Sequence, residues 1–241
     1  MRYYSRTEKG NYRNENEDCV YAPKDGGCGF IAVADGMGGH RAGEVASAMV
    51  IQSLAETLEG LDPENIMPES LVNALLKANE RVSQDSKNNP LHYGMGTTAT
   101  VAVIRSGCAV IGHVGDSRAY LFRDGKLSQI TKDHSYVQML IDHGYISKSD
   151  AHRHPHKNVI TRAIGIDDVI DVDTHTVELR GGDSLLLCTD GLNSAVPDGE
   201  IESILSDGIS EAADRLVEAA LKNGAQDNIS VVIAHMEGGC Q

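Results

Sequence analysis

Short apolar runs that end in Asp-Gly or Gly-Asp recur along the chain. Cys28–Ala34 (CGFIAVA) leads into Asp35-Gly36, Val110–Val114 (VIGHV) into Gly115-Asp116, and Leu185–Cys188 (LLLC) into Thr189-Asp190-Gly191. Ile229–Ala234 (ISVVIA) follows Asp227-Asn228, and Thr97–Arg105 (TTATVAVIR) reads as one further run. Runs of this length, rich in β-branched residues and bounded by turn formers, predict strands. Asp124-Gly125, between Ala119–Phe122 and Leu127–Ile130, predicts a tight hairpin. Ser106-Gly107, Asp25-Gly26 and Gly181-Gly182 are predicted to turn further strand pairs, and short turns imply antiparallel pairing.

Elsewhere the apolar spacing is helical. Ala42, Val45, Ala46, Met49, Val50 and Leu54 follow an i, i+3, i+4, i+7 pattern, as do Ala213, Leu216, Val217, Ala220 and Leu221 behind a cap at Ser210. Pro68 is placed to open another helix that buries Leu71, Val72, Leu75 and Leu76, and a shorter one is predicted over Tyr136–His143. The stretch from about Gly144 to Ile160 is polar and irregular and reads as a surface flap; its His152, His154 and His156 flank Pro155 and read as solvated. Clusters of strands with helices between them give an α+β class, with helices covering the outer faces of antiparallel sheets.

Composition narrows this picture. A chain of 241 residues fits a single domain over 1–241. With no Trp and only 2 Phe, the core must be aliphatic. The 21 Lys and Arg against 35 Asp and Glu leave a net charge of −14, which argues against broad binding to nucleic acid or anionic lipid. No apolar run approaches the ~20 residues of a membrane span. Met1–Lys9 lacks the apolar core of a signal peptide, so no membrane insertion and a cytoplasmic location are expected. The five cysteines, Cys19, Cys28, Cys108, Cys188 and Cys240, form no CxxC pair and read as buried reduced thiols.

The strand ends carry the chemistry. Asp35, Asp116, Asp190 and Asp227 each stand at the edge of an apolar run, and Asp18 just precedes another, Cys19–Ala22. If those strands are neighbours, several carboxylates meet at one rim and need cations to offset their repulsion. Carboxylates and carbonyls are hard oxygen donors that suit Mg²⁺ or Mn²⁺. Each Asp-Gly is also an ordinary turn signal, so spacing alone leaves both readings open. His113, inside an apolar strand, reads as a core histidine, and Met37 and Met95 as packing. Gly38-Gly39 is not followed by Gly-Lys-Ser/Thr, which disfavours a nucleotide loop.

Taken in order, Arg13-Asn14-Glu15-Asn16-Glu17-Asp18, Val33-Ala34-Asp35-Gly36-Met37-Gly38-Gly39-His40, Gly94-Met95-Gly96-Thr97-Thr98, Gly112-His113-Val114-Gly115-Asp116-Ser117-Arg118, Leu187-Cys188-Thr189-Asp190-Gly191-Leu192 and Asp227-Asn228-Ile229-Ser230-Val231-Val232 resemble the metal-dependent Ser/Thr protein phosphatases of the type 2C class, bacterial branch. Asp133-His134-Ser135 and Thr161-Arg162-Ala163-Ile164-Gly165 match as well, and the likeness runs from about Thr7 to Ile233.

The resemblance implies a four-layer αββα sandwich with a flap insertion and a dinuclear Mn²⁺ or Mg²⁺ centre. Asp35 would bridge the two ions, with the Gly36 carbonyl, Asp190 and Asp227 as further ligands, and Asp116 with Asp190 would hold a third, weaker ion. Asp18 would orient a water, Arg13 would bind phosphate, and His40 would act as general acid. The implied substrates are phosphoserine and phosphothreonine in proteins, the implied counterpart a Ser/Thr kinase, and the expected state a monomer. Glu17 stands where many bacterial members carry Gln, and Arg41 where a small residue is common. Two alternatives are a binding module without turnover, and a phosphatase dedicated to one regulatory phosphoprotein.

The residue types suit that chemistry. Phosphoryl transfer needs positioning and charge neutralisation more than covalent work. The planar fork of an arginine grips two phosphate oxygens, which a lysine cannot do. A basic alkoxide leaving group benefits from a proton donor such as a histidine. No Cys-x5-Arg cradle is present, which disfavours a phosphocysteine route.

Overall fold

The apolar runs form the strands of two antiparallel sheets in the computed structural model, which describes residues 1–24, 29–37, 42–151 and 153–238. One sheet has the order β1 (Arg2–Glu8), β11 (Ile229–His235), β10 (Ser184–Cys188), β7 (Arg118–Arg123) and β8 (Lys126–Gln129). The other has the order β2 (Asp18–Tyr21), β3 (Gly29–Met37), β5 (Ala99–Arg105), β6 (Cys108–Val114) and β9 (Asp173–Glu178), and a two-residue strand, β4 (Gly96–Thr97), pairs with the end of β3.

Strand alternation builds three apolar layers. On β3, Ile31 and Val33 face the other sheet, where they meet Leu185, Leu187, Val232 and Ala234. The intervening Phe30, Ala32 and Ala34 pack against α1 (Gly43–Leu58) and α2 (Pro68–Asn88). Across the molecule, Leu186, Val231 and Ile233 pack against α6 (Asp198–Ser206) and α7 (Ala212–Lys222). The αββα sandwich is thus the expected α+β architecture. The first and last described segments meet on the first sheet, where Arg2 pairs with His235 and the Met1 ammonium lies 3.1 Å from a Glu237 carboxylate oxygen. Among the described residues, no helix is long and apolar enough to cross a membrane.

Several local expectations need correction. Thr97–Arg105 is not one strand: the ladder breaks at Thr98, because Gly96 and Thr97 pair with Met37 and Gly36 while Ala99 onward pairs with β6. Gly181-Gly182 does not turn a strand pair; it carries the chain from β9 in one sheet to β10 in the other. Ser210 does not cap α7, which begins at Ala212 behind a short 3-10 turn over Ile209–Glu211. Cys188 is buried, but Cys19 and Cys108 are only half-buried, and all three are free thiols. His154 is half-buried with its ring near Tyr136, so it is not fully solvated. Asp25-Gly26, Cys28, His152 and Cys240 lie outside the described residues.

The flap is more ordered than its composition suggests. The stem closes where Ser135 pairs with Ile160. α3 (Tyr136–Asp142), capped by Ser135 Oγ accepting from the Gln138 N–H at 3.2 Å, leads into the flap, which carries a helical turn, α4 (Lys148–Ala151). The Asp124-Gly125 hairpin forms as expected, with both residues at positive φ, 52° and 76°.

Ile111 is fully buried in the layer between the sheets. Ile111→Ala is expected to cost about 2–5 kcal/mol, read as a lower urea midpoint with an unchanged denaturant slope.

Candidate metal and phosphate site

Alternation also brings the acids together. Asp18 and Asp35 are register partners across β2 and β3. They share the face that carries Val20, Ile31 and Val33 toward the other sheet, so their side chains stand at the open end of the inter-sheet layer. On the opposing sheet the same face continues from Leu185 and Leu187 to Thr189, and from Val232 and Ala234 to Ser230. Thr189 Oγ1 donates to Asp18 Oδ2 at 2.8 Å and accepts from the Ser230 N–H at 3.0 Å. Asp18 therefore ties the two sheets at this rim. Asp190 follows Thr189 and opens the helical turn α5 (Asp190–Asn193), Asp227 precedes β11, and Asp116 lies in the loop between β6 and β7.

The break at Thr98 fixes Asp35. The Asp35 N–H donates to Thr98 Oγ1 at 2.9 Å, and the Asp35 carbonyl accepts from the Thr98 N–H and Thr97 Oγ1, both at 2.9 Å. Thr98 Oγ1 in turn lies 2.7 Å from Ser117 Oγ, which links Asp35 to the Asp116 loop. His134 holds that loop from the other side. Its backbone N–H donates to the Gly115 carbonyl at 2.7 Å, and its Nδ1 accepts from the Gly115 N–H at 3.1 Å. An accepting Nδ1 puts the ring proton on Nε2, which faces Asp173 Oδ2 at 3.2 Å.

The acids destabilise one another. Burial first, and then the charges of Asp18, Asp190, Asp116 and Asp227, hold the Asp35 carboxyl well above the usual range. Burial also pushes Asp18 up to about 7, against the opposing hydrogen bonds from Ser230 and Thr189, with Asp190 and Asp227 adding repulsion. Asp116 is pushed up to about 8 by burial and by Asp190. Asp190 rises to about 6 through burial and Asp227, with Arg13, Lys157 and Arg118 acting the other way. Asp18 Oδ1 and Asp190 Oδ1 are buried with no hydrogen-bond partner. Buried lone pairs that face like charges need cations.

Backbone is packed into the same place. A Cβ on Gly36 would lie 2.1 Å from the Gly43 carbonyl oxygen and 2.5 Å from that of Glu17, so no side chain fits there. The Gly36 N–H donates to the Glu17 carbonyl at 3.1 Å. A Cβ on Gly191 would lie 1.9 Å from the Asn228 carbonyl oxygen. Burial and then Glu44, opposed by Arg13, raise the Glu17 carboxyl, and Glu44 Oε2 is a further buried oxygen without a partner.

Arg13 arrives on the loop after β1. Its Nη2 donates to Asp227 Oδ2 at 2.6 Å, while Asp227 Oδ1 accepts from the Asn228 N–H at 2.8 Å. Asn228 anchors the loop: its Oδ1 accepts from the Glu17 N–H, and its Nδ2 donates to the carbonyls of Lys9 and Glu15, all at 2.9 Å.

Asp18, Asp35, Gly36, Asp116, Asp190, Asp227 and Arg13 are therefore brought to one rim, with Arg13 held against Asp227. His40 lies outside the described residues. Among the described residues, no group of three or more His, Cys, Asp or Glu side chains is already arranged around a single ion position. The donor set fits hard divalent cations by chemistry: several carboxylates, two orphaned buried oxygens and a backbone stretch that admits no Cβ.

Sequence reading assigned no role to Thr97, Thr98, Thr189, Asn228, Glu44 or His134. A usable signal existed for Thr189 and Ser230, polar residues on the inward phase of strands that are otherwise apolar. Asn228 offered none, because its partners lie more than 200 positions away. His113 is fully buried, as read from the sequence; its Nε2–H donates to the Lys132 carbonyl at 3.2 Å, so its Nδ1 accepts from Thr100 Oγ1 at 2.9 Å.

Comparison with known proteins gives the same picture. The family profile of Protein phosphatase 2C matches residues 11–231. The Serine/threonine protein phosphatase PstP of Mycobacterium tuberculosis is 43% identical over 235 residues, which cover 97% of this chain and 45% of that protein. This chain thus spans about half the length of that relative. The Serine/threonine phosphatase stp of Listeria monocytogenes is 41% identical over 240 residues, 96% of this chain and 94% of that one. The crystal structure of the mycobacterial PstP/Ppp superposes with a TM-score of 0.91 at 41% identity, covering 98% of each chain. A crystal structure of the PstP catalytic domain in complex with two manganese ions superposes with a TM-score of 0.89 at 40% identity, again covering 98% of each.

Raised carboxyl pKa values make the folded state bind protons that the unfolded state has lost, so stability falls as pH rises toward the folded values. His113, which burial and then His134 lower to about 3, and His134, which burial also lowers, act in the opposite sense below about pH 6.5. Between about pH 6.5 and 8 the acids dominate. With chelator present, the urea midpoint should drop across that window, and added Mn²⁺ should flatten the profile. A midpoint that rises with pH there would contradict the repulsion.

Proposed function

The chain belongs to the protein phosphatase 2C family, and on that premise we propose that it hydrolyses phosphoserine and phosphothreonine in proteins with Mn²⁺ or Mg²⁺, in the cytoplasm and opposite a Ser/Thr kinase. The convergence of Asp18, Asp35, Asp116, Asp190 and Asp227 on one rim, with orphaned oxygens on two of them and Arg13 at its mouth, carries this reading.

Asp35, the Gly36 carbonyl, Asp190 and Asp227 would hold two ions, and Asp116 with Asp190 a third. When bound, the ions supply charge neutralisation and an acidified water for in-line attack on phosphorus. Asp18 has one oxygen committed to Thr189 and the other unpartnered, which suits it to hold a water proton in a fixed direction. Thr97 and Thr98 fix the backbone of Asp35, so its carboxylate needs no reorganisation as charge develops. Arg13, held at the rim by Nη2 against Asp227, would grip two phosphate oxygens with its planar fork. His40 is assigned to protonate the leaving alkoxide from its place in the Gly-Gly-His motif. The wall of Ile31, Val33, Leu185 and Leu187 keeps water from the back of the site and strengthens every charge interaction at the rim.

Purified protein should hydrolyse p-nitrophenyl phosphate and a phosphothreonine peptide only with added divalent cation. Activity that survives chelation would overturn the metal-dependent reading. Asp35→Asn should lower kcat by roughly 1,000-fold or more, with the fold checked by circular dichroism.

Two further substitutions separate the roles of the charged groups. Arg13→Lys should raise KM by about 10-fold through loss of the bidentate grip. His40→Ala should slow the phosphopeptide more than p-nitrophenyl phosphate, whose leaving group needs no proton; equal losses would remove His40 as the acid.

A further inference from the structure

A cleft of about 530 Å³ runs from Asp116 and Asp190 along the underside of the flap to α5 and the start of α6. Four acids, Asp116, Asp133, Asp190 and Asp198, and three bases, Arg118, Lys148 and Lys157, line it. Arg118 and Asp133 face each other at 2.7 Å, and Asp198 accepts from the Tyr120 hydroxyl at 3.2 Å. Asp116 and Asp190 belong to the carboxylate rim. That leaves Asp198 and two bases, Lys148 on α4 and Lys157 in the turn through which the flap returns. The lysines that form ion pairs among the described residues are Lys87, with Asp168, and Lys132, with Asp142; Lys148 and Lys157 are not among them. Both are exposed, so neither ammonium loses much hydration by waiting for a partner.

We propose that Lys148 and Lys157 make the enzyme select phosphorylated residues that have acidic side chains next to them in the substrate chain. A polypeptide whose phosphate reaches the rim can continue along this cleft, which α5 and the flap wall on two sides. Its flanking side chains then pass the two ammonium groups. With cations on Asp116 and Asp190 and Arg118 paired with Asp133, the two lysines outnumber Asp198 here, against the net charge of −14, which by itself would favour basic substrates. Because the lysines are exposed, each contact is modest and screened by salt, and together they set a preference of about 3- to 10-fold. This inference rests on the phosphatase reading above, which names the reaction but no sequence around the phosphate.

The test uses the full chain with Mn²⁺ and two phosphothreonine peptides of equal length, one with Glu and one with Lys on both sides of the phosphorylated residue. p-Nitrophenyl phosphate is run in parallel. The expected ratio of kcat/KM, acidic over basic peptide, is about 5 at 50 mM NaCl, shrinking toward 1 at 500 mM. In K148E/K157E it should fall to 1 or below. Because the readout is a ratio within one preparation, partial loss of active protein cancels. A wild-type ratio near 1, with p-nitrophenyl phosphate still turned over, overturns the lysine selection and leaves the phosphatase reading intact. An acidic preference that persists unchanged in K148E/K157E overturns it equally. Failure to hydrolyse any of the three compounds removes the phosphatase reading and the selection with it.

Discussion

Carboxylate repulsion at the open end of the inter-sheet layer is the constraint around which the rest of the protein is organised. Five acids stand where two sheets part, in surroundings dry enough that three of them are held at about 6 to 8 and Asp35 well above its ordinary range. A rim like this opposes folding. It persists because the strands beneath it are joined by apolar contact along their whole length, from Ile31 and Val33 to Leu187 and Val232. The fold tolerates an unfavourable edge, and on the proposed reading that edge attracts cations and, through them, a phosphate dianion.

Rigidity at the rim comes from neutral groups. Thr97 and Thr98 immobilise Asp35 through its backbone, Thr189 immobilises Asp18 across the sheets, and Asn228 binds the Arg13 loop to the start of β11. None of them adds charge, although the Thr189 hydroxyl opposes the upward push of burial on Asp18. Gly36 and Gly191 act differently, by letting backbone approach where any side chain would collide. Charged residues thus define the chemistry, while hydroxyls, an amide and missing side chains set its geometry.

Much of this was legible in the sequence because it is local. The apolar runs, the Asp124-Gly125 turn and the α1 stripe each declare themselves within a few residues, whereas of the expected α2 stripe Leu71 and Leu75 are buried, Val72 is half-buried and Leu76 is exposed. The acids were legible as strand ends, and their convergence was an expectation that the register of β2 with β3 and of β10 with β11 realises. What escaped depends on distant partners. The break at Thr98 exists because Ile164 and Met37 claim the backbone just before it. The Gly181-Gly182 turn changes sheets for reasons no dipeptide states. β1 and β9 were missed because charged and polar residues occupy their solvent face and half hide their alternation. α3 was predicted as a short helix before the flap, whereas α4 was missed because a single helical turn leaves no periodicity to count.

The antiparallel pairing of β1 with β11 has a geometric corollary. Glu8 pairs with Ile229 near the acidic rim, and Arg2 pairs with His235 at the far end of the same sheet, where the Met1 ammonium meets Glu237. The two ends of the described fold are therefore neighbours, on the side of the molecule facing away from the cleft. A short peptide linker could close the backbone into a ring there, and the Asp124-Gly125 hairpin tip offers a solvent-facing place to cut it open again. Such a permuted chain would keep every strand neighbour and every rim residue in place, and its new ends would again leave the mouth clear.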